Sequence, residues 1–191
     1  MKFIAITGSI GCGKTTISNI LRKQGFLVYD IDKWVKYLYY KKEFLEVIEK
    51  FFPECFENGV FNKRKLRNIV FDNPCKLKQL EGLIHPFLTQ KLKHIIRRNK
   101  DEGCVFVDVA LLFEMGWDKY FDYVVLAYTD EETQKLRVMK RDSISAEDFY
   151  KINKLQMSGE EKMQKADFII ETGCEEQKLC RAVLDVLGEL L

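Results

Sequence analysis

The chain has 191 residues, 47% apolar and 31% charged, and 31 Lys plus Arg against 29 Asp plus Glu give a net charge of +2. That length suits one domain with room for a sub-lobe, and the composition excludes disordered, collagen-like and coiled-coil classes. The near-neutral charge argues against bulk nucleic-acid binding, and no apolar run approaches the ~20 residues of a membrane span. The start, MKFIAITGSIGCGK, is too Gly-rich and too short in its apolar part for a signal peptide, so the expectation is a cytoplasmic protein without membrane contact. A monomer is the simplest assumption. The six cysteines include no C-x-x-C pair, and with only His85 and His94 beside them no zinc spacing arises, so all six are read as reduced thiols.

In chain order, the β-branched run 2–7 reads as a strand. It enters a glycine-rich turn and then a helix carrying Ile17, Ile20 and Leu21 at helical spacing and ending at Gly25. Residues 26–30 (FLVYD) read as a second strand, completing a β-α-β unit with a right-handed crossover. Residues 31–102 are mostly helical in pattern, punctuated by Pro53 and an Asn58-Gly59 turn, and read as an insertion. His85-Pro86 falls inside this pattern and predicts a helix boundary or bend. Strands resume at 104–109 and 122–128. Thr129 with Glu132 predicts a capping box opening a helix to about Arg141, and Ser145 with Asp148 a second one opening a helix to about Met157. A last strand at 167–171 and a terminal amphipathic helix at 175–190 bring the count to five strands, all joined by helical crossovers.

The strongest motif is Gly8-Ser9-Ile10-Gly11-Cys12-Gly13-Lys14-Thr15, which fits G-x-x-x-x-G-K-[ST] between a strand and a helix. Glycines let successive N–H groups converge on an anion, and the helix start adds its positive dipole end. Lys14 is placed to bridge the β- and γ-phosphates and the Thr15 hydroxyl to ligate Mg²⁺, with Thr16 completing the ATP-binding run. No N-K-x-D base-reading motif is present, which favours ATP over GTP. Asp30 and Asp32 follow the second strand at the edge where ligands gather in parallel sheets. Either acid caps the next helix or it accepts a proton from an acceptor hydroxyl. Asp108 ends a strand and reads either as an acid serving Mg²⁺ or as a strand-end cap.

The ordered set Thr7–Thr16, Asp30-x-Asp32, Arg64-x-Leu66-Arg67 with Phe71, and His85-Pro86 resembles the dephospho-CoA kinase family. The likeness continues in Leu111-Leu112-Phe113-Glu114, Gln134-x-x-Arg137 with Arg141-Asp142, and Gln156-Met157 with Lys162 and Ala166-Asp167. It runs through nearly the whole chain. The resemblance implies an α/β P-loop NTPase fold, with a five-stranded parallel sheet flanked by helices. It further implies a core (1–30, 103–129, 161–191), a helical CoA-binding region (31–102) and a helical lid (130–160). It implies phosphorylation of the ribose 3′-hydroxyl of dephospho-CoA by ATP and Mg²⁺, with Asp32 as catalytic base. It places His85 and Pro86 on the acceptor substrate. Arg64, in the basic stretch Lys63–Arg67, reads either as part of a solvated face or as attracting the acceptor's pyrophosphate. Arg137 and Arg141 read as lid arginines that close on the transferring phosphoryl group, with Arg141 taken first as the γ-phosphate contact.

Gln134, Arg137 and Arg141 share a helix face, which without the resemblance is a solvated stripe. Lys151, Lys154 and Lys162 add positive charge to the same region. Three positions depart from the family pattern: Cys12 for Ser, Ala110 for Pro and Thr172 for Asn. A thiol at a helix start tends toward a lowered pKa, so Cys12 alkylation is expected to inactivate, with ATP protecting. Thr172 puts the base-reading loop, and with it strict ATP preference, in question. Rival readings are a nucleoside monophosphate kinase, sharing core and lid, and a nucleotide-switch protein without an acceptor.

Overall fold

The computed structural model describes residues 1–71 and 73–191; the side chain of Phe71, quoted above beside Arg64 and Arg67, lies outside the described set. The chain divides into two units, one formed by 1–30 with 99–191 and the other by 31–98.

The first unit holds a parallel sheet of β1 (Lys2–Thr7), β2 (Leu27–Asp30), β5 (Cys104–Asp108), β6 (Tyr123–Tyr128) and β7 (Phe168–Glu171), in the order β2-β5-β1-β6-β7. The chain steps from β1 outward to β2 and later crosses to β6 on the other side. The loop after β1 therefore lies where the strand order reverses, the crevice that parallel sheets use for ligands. β1 and β5 are buried along nearly their whole length, which is why they read as continuous apolar runs rather than as alternation. One sheet face packs Ile4, Ile6, Phe106, Val125 and Ile170 with Ile17 and Leu21 of α1 (Lys14–Lys23) and with Val183 and Leu187 of α9 (Glu176–Leu190). Strand starts are pinned by acids: Asp122 Oδ2 accepts from Phe3 N and Asp167 Oδ2 from Val124 N, each at 2.7 Å.

The first unit also carries α6 (Glu131–Asp142), α7 (Ala146–Asn153) and α8 (Gly159–Met163). The N-cap of α6 is Asp130, accepting from Thr133 N, and not Thr129 as the spacing predicted; a carboxylate competes better than a hydroxyl for the orphan amide. The Ser145–Asp148 capping box forms as expected, but α7 stops at Asn153, short of Met157. A second box, Ser158 with Glu161, opens the five-residue α8 that the sequence reading lacked.

The second unit contains α2 (Ile31–Leu38), α3 (Lys42–Phe51), β3 (Phe56–Glu57), β4 (Val60–Phe61), α4 (Lys63–Phe71) and α5 (Pro74–Arg98). β3 and β4 form a two-residue hairpin around Asn58 and Gly59, both with positive φ, so the insertion is not purely helical. α5 runs through His85-Pro86 without a break, correcting the expected boundary. Leu80, Ile84, Leu88, Leu92 and Ile95 form a buried stripe at helical spacing, and this burial outweighs the one backbone bond that Pro86 removes.

Candidate active site

The loop between β1 and α1 is shaped by Gly11 and Gly13, at φ +80° and +84°. A Cβ on Gly11 would come 2.7 Å from the Gln134 carbonyl oxygen, and one on Gly13 would come 3.0 Å from Thr172 Oγ1. These glycines are required by close backbone approach as well as by the left-handed turn. The amides of Gly13, Lys14 and Thr15 open the first helical turn, where no helical acceptor exists, and so point at an anion. Lys14 Nζ donates to the Gly8 carbonyl at 2.6 Å, folding its charge over the loop.

Three side chains brace this loop, Gln156, Thr172 and Arg137. Gln156 Oε1 accepts from Ile10 N at 2.8 Å. Met157 N donates to Glu114 Oε1 at 2.8 Å, and the same oxygen lies 3.0 Å from Lys162 Nζ. Lys162 is fully buried and its ammonium makes no well-directed hydrogen bond; burial pushes its pKa down, against the pull of Glu114. Thr172 Oγ1 donates to the Cys12 carbonyl at 2.7 Å. Arg137 donates through Nη1 to Thr172 Oγ1 at 3.1 Å and through Nη2 to the Thr172 carbonyl at 2.7 Å.

Asp108 is 5% exposed. Its Oδ2 accepts from Ser18 Oγ at 2.8 Å, while its buried Oδ1 has no partner. Burial raises its pKa, with Lys14 and Ser18 pulling the other way and Asp30, its register partner on β2, adding to the rise. A buried carboxylate oxygen left open on a side chain that bonds Ser18 of α1 and feels the charge of Lys14 fits a hydrated cation. Among the described residues no three His, Cys, Asp or Glu side chains are grouped to hold a metal, so a cation here would complete its shell with phosphate oxygens and water.

A cavity of about 370 Å³ opens beside the loop between Gly13, Thr16, Arg137, Thr172, Cys174, Glu176 and Leu179. A second, of about 570 Å³, is walled by Ser9, Tyr128, Gln134, Tyr150, Lys154 and Gln156 among others. Of the predicted helix face, Gln134 is buried and donates to the Thr129 carbonyl, and Arg137 reaches the loop. Arg141 instead lies exposed in a bidentate pair with Asp142, at 2.7 and 2.8 Å. Cys12 is 2% exposed, and burial raises its pKa against Lys14 and the loop hydrogen bonds. The expected reactive thiol is therefore corrected: desolvation outweighs the helix start, and Cys12 enters the site through its backbone.

In the second unit a cavity of about 510 Å³ has an apolar floor of Val35, Leu66, Val70 and Leu80 and a rim of Lys36, Lys63, Arg64 and Arg67 with Tyr39. Asp32 lies in the first turn of α2, one turn before Lys36. His85 and Pro86 lie mid-way along α5 and are not among the cavity's walls. The sequence reading gave no site role to Ser18 and read Thr172 only as a departure. Ser18 has a signal, being a polar residue on the buried face of an amphipathic helix.

A glycine loop bracing an anion site at the reversal point of the β2-β5-β1-β6-β7 parallel sheet defines a P-loop phosphotransferase fold. Deoxyadenosine kinase from M. mycoides shares that fold at a TM-score of 0.54 and 17% identity, covering 98% of this chain and 100% of that one. A family model described as Dephospho-CoA kinase matches residues 2–177. The dephospho-CoA kinase of Bartonella henselae is 40% identical, over 100% of this chain and 99% of its own. The crystal structure of TT1252 from Thermus thermophilus superposes at a TM-score of 0.86 with 34% identity, over 100% of this chain and 98% of that one. The chain belongs to the dephospho-CoA kinase family, the kinases of the last step of CoA biosynthesis.

Proposed function

We propose that this chain, in the cytoplasm, moves the γ-phosphoryl group of ATP in line onto the ribose 3′-hydroxyl of dephospho-CoA, with Asp32 orienting and deprotonating that hydroxyl. The observation that carries the assignment is the position of Asp32 on α2. It lies one helical turn before Lys36, and Lys36 is a wall residue of the cationic, apolar-floored cavity. That cavity suits an acceptor with a charged diphosphate and a long thin apolar arm, gripped at its phosphates by Arg64. His85 and Pro86 complete the acceptor side, within a CoA-binding region spanning 31–102.

On the donor side, backbone amides from Gly8 to Thr16 hold the phosphates, and Lys14 swings from the Gly8 carbonyl onto the β- and γ-oxygens. Mg²⁺, held by Thr15 and by Asp108 directly or through water, would neutralise charge on the β- and γ-phosphates. Arg137 lies beside the nucleotide. Arg141 reaches the transferring group when the lid, 130–160, closes; its exposed pair with Asp142 is worth at most about 1 kcal/mol and gives way readily. Closure keeps water from competing with the acceptor.

Asp32→Asn tests the base. Transfer to dephospho-CoA, read as ADP release with the product checked by mass, should fall at least about 100-fold. ATP affinity should stay within about twofold, since one group's removal leaves the loop intact. Unchanged transfer would exclude Asp32 as the base.

A further inference from the structure

Thr172 stands where the family has Asn and invites the view that it reads the nucleotide base. Its hydrogen bonds argue otherwise. A threonine hydroxyl has one proton and two lone pairs. The proton goes to the Cys12 carbonyl at 2.7 Å, and a lone pair takes Arg137 Nη1 at 3.1 Å. Tyr128 O is a second, longer neighbour at 3.3 Å. The residue is 2% exposed. Its backbone is engaged as well: its N donates to Tyr128 O at 2.8 Å and its carbonyl accepts Arg137 Nη2 at 2.7 Å. The side chain also fills the space that a Cβ on Gly13 would need.

We infer that Thr172 is a positioning residue, tying the phosphate loop to Arg137 so that loop and cavity wall are set before the nucleotide arrives, and that it takes no part in base selection. The inference rests on the reading that this loop binds a nucleoside triphosphate. Arg137 reaches the loop carbonyl of Gly11 and both the hydroxyl and the carbonyl of Thr172, and it also walls the 370 Å³ cavity. Loss of the hydroxyl leaves the Cys12 carbonyl unpartnered and frees one arm of Arg137. The loop is then no longer preorganised for phosphate, whatever base the nucleotide carries.

The test measures Kd for ATP and GTP directly, by displacement of a fluorescent nucleotide without acceptor, together with melting temperature. Failure of the kinase reading would then show in the transfer assay and not here. Thr172→Val keeps the shape and removes the hydroxyl; it should weaken ATP and GTP in parallel, by about tenfold. Thr172→Ser restores the hydroxyl and should recover most of that loss. Thr172→Ala also removes the hydroxyl and leaves Arg137 in place; it should weaken both nucleotides in parallel as well, and it decides the matter if the valine variant does not fold. A changed ATP-to-GTP ratio would make Thr172 a base reader and overturn the inference. Lowered melting with unchanged Kd, in the valine or the alanine variant, would overturn it equally.

Discussion

Cys12 shows two local rules in competition. A thiol at the opening of a helix and near Lys14 is expected to ionise easily, yet its burial raises the pKa. The group is a neutral core hydrophobe through the neutral range, packed with Ile4, Ile17 and Ile170. In folded protein at pH 7.5, iodoacetamide should label the exposed Cys75 and Cys174 at least about tenfold faster than Cys12, since the thiolate is the nucleophile and only an accessible one reacts. Because the pKa is raised, the Cys12 rate should keep climbing above pH 9. Peptide mass mapping at timed quenches reads both effects. Fast labelling of Cys12 at pH 7.5 would show that the helix start outweighs burial after all. At this scale, what the sequence conveyed was residue type and spacing. Gly8 through Thr15 needed nothing more, because the motif's glycines and spacing already specify the loop. The Thr172–Arg137–Cys12 contacts join positions 35 and 160 residues apart, and no local pattern encodes such a meeting.

Among the elements, the five core strands were legible because each is a short β-branched run between turn signals. The edges of elements were not. The spacing points to Thr129 as the cap of α6, and the carboxylate of the next residue, Asp130, takes the amide instead. At Pro86 the boundary offered by the sequence is absent from α5 for a physical reason. The rule at proline describes a local cost, whereas a 25-residue helix with a buried stripe spreads that cost over five anchoring side chains. Pro86 has no N–H for the carbonyl four residues back, which is Gly82. Gly82 has no positive φ, and a Cβ there would meet nothing within 4 Å. Gly82→Ala should therefore stabilise the protein by roughly 0.5–1 kcal/mol, by restricting the unfolded chain more than the helix. Urea unfolding should show a higher midpoint at an unchanged slope. A lower midpoint would mean that the helix needs glycine's freedom opposite the proline ring.

Across the molecule, chemistry is divided by unit. Each residue from Gly8 to Thr16, Asp108, Arg137, Gln156, Lys162 and Thr172 belongs to the unit formed by 1–30 and 99–191, while Asp32, Arg64, Arg67, Lys36 and the 510 Å³ cavity belong to 31–98. The motifs Leu111–Glu114 and Gln156–Lys162, far apart in the chain, matter jointly because Glu114 holds Met157 N and Lys162 while Gln156 holds the loop. A ligand that binds only native structure slows the opening of what it touches, by a factor approaching 1 + [L]/Kd. Mg-ATP at a hundredfold excess over Kd should therefore slow amide exchange by about 100-fold in the loop, α1 and the Thr172 segment, and leave α2 and α4 unchanged. Dephospho-CoA alone should reverse the pattern, protecting α2 and α4 and sparing β1 and α1. Mass-resolved hydrogen exchange on the intact protein separates the two. Equal protection of both units by ATP alone would mean that donor binding already orders the acceptor side, and the acceptor's affinity would then have to rise when ATP is present, by the same factor that ATP's rises with acceptor.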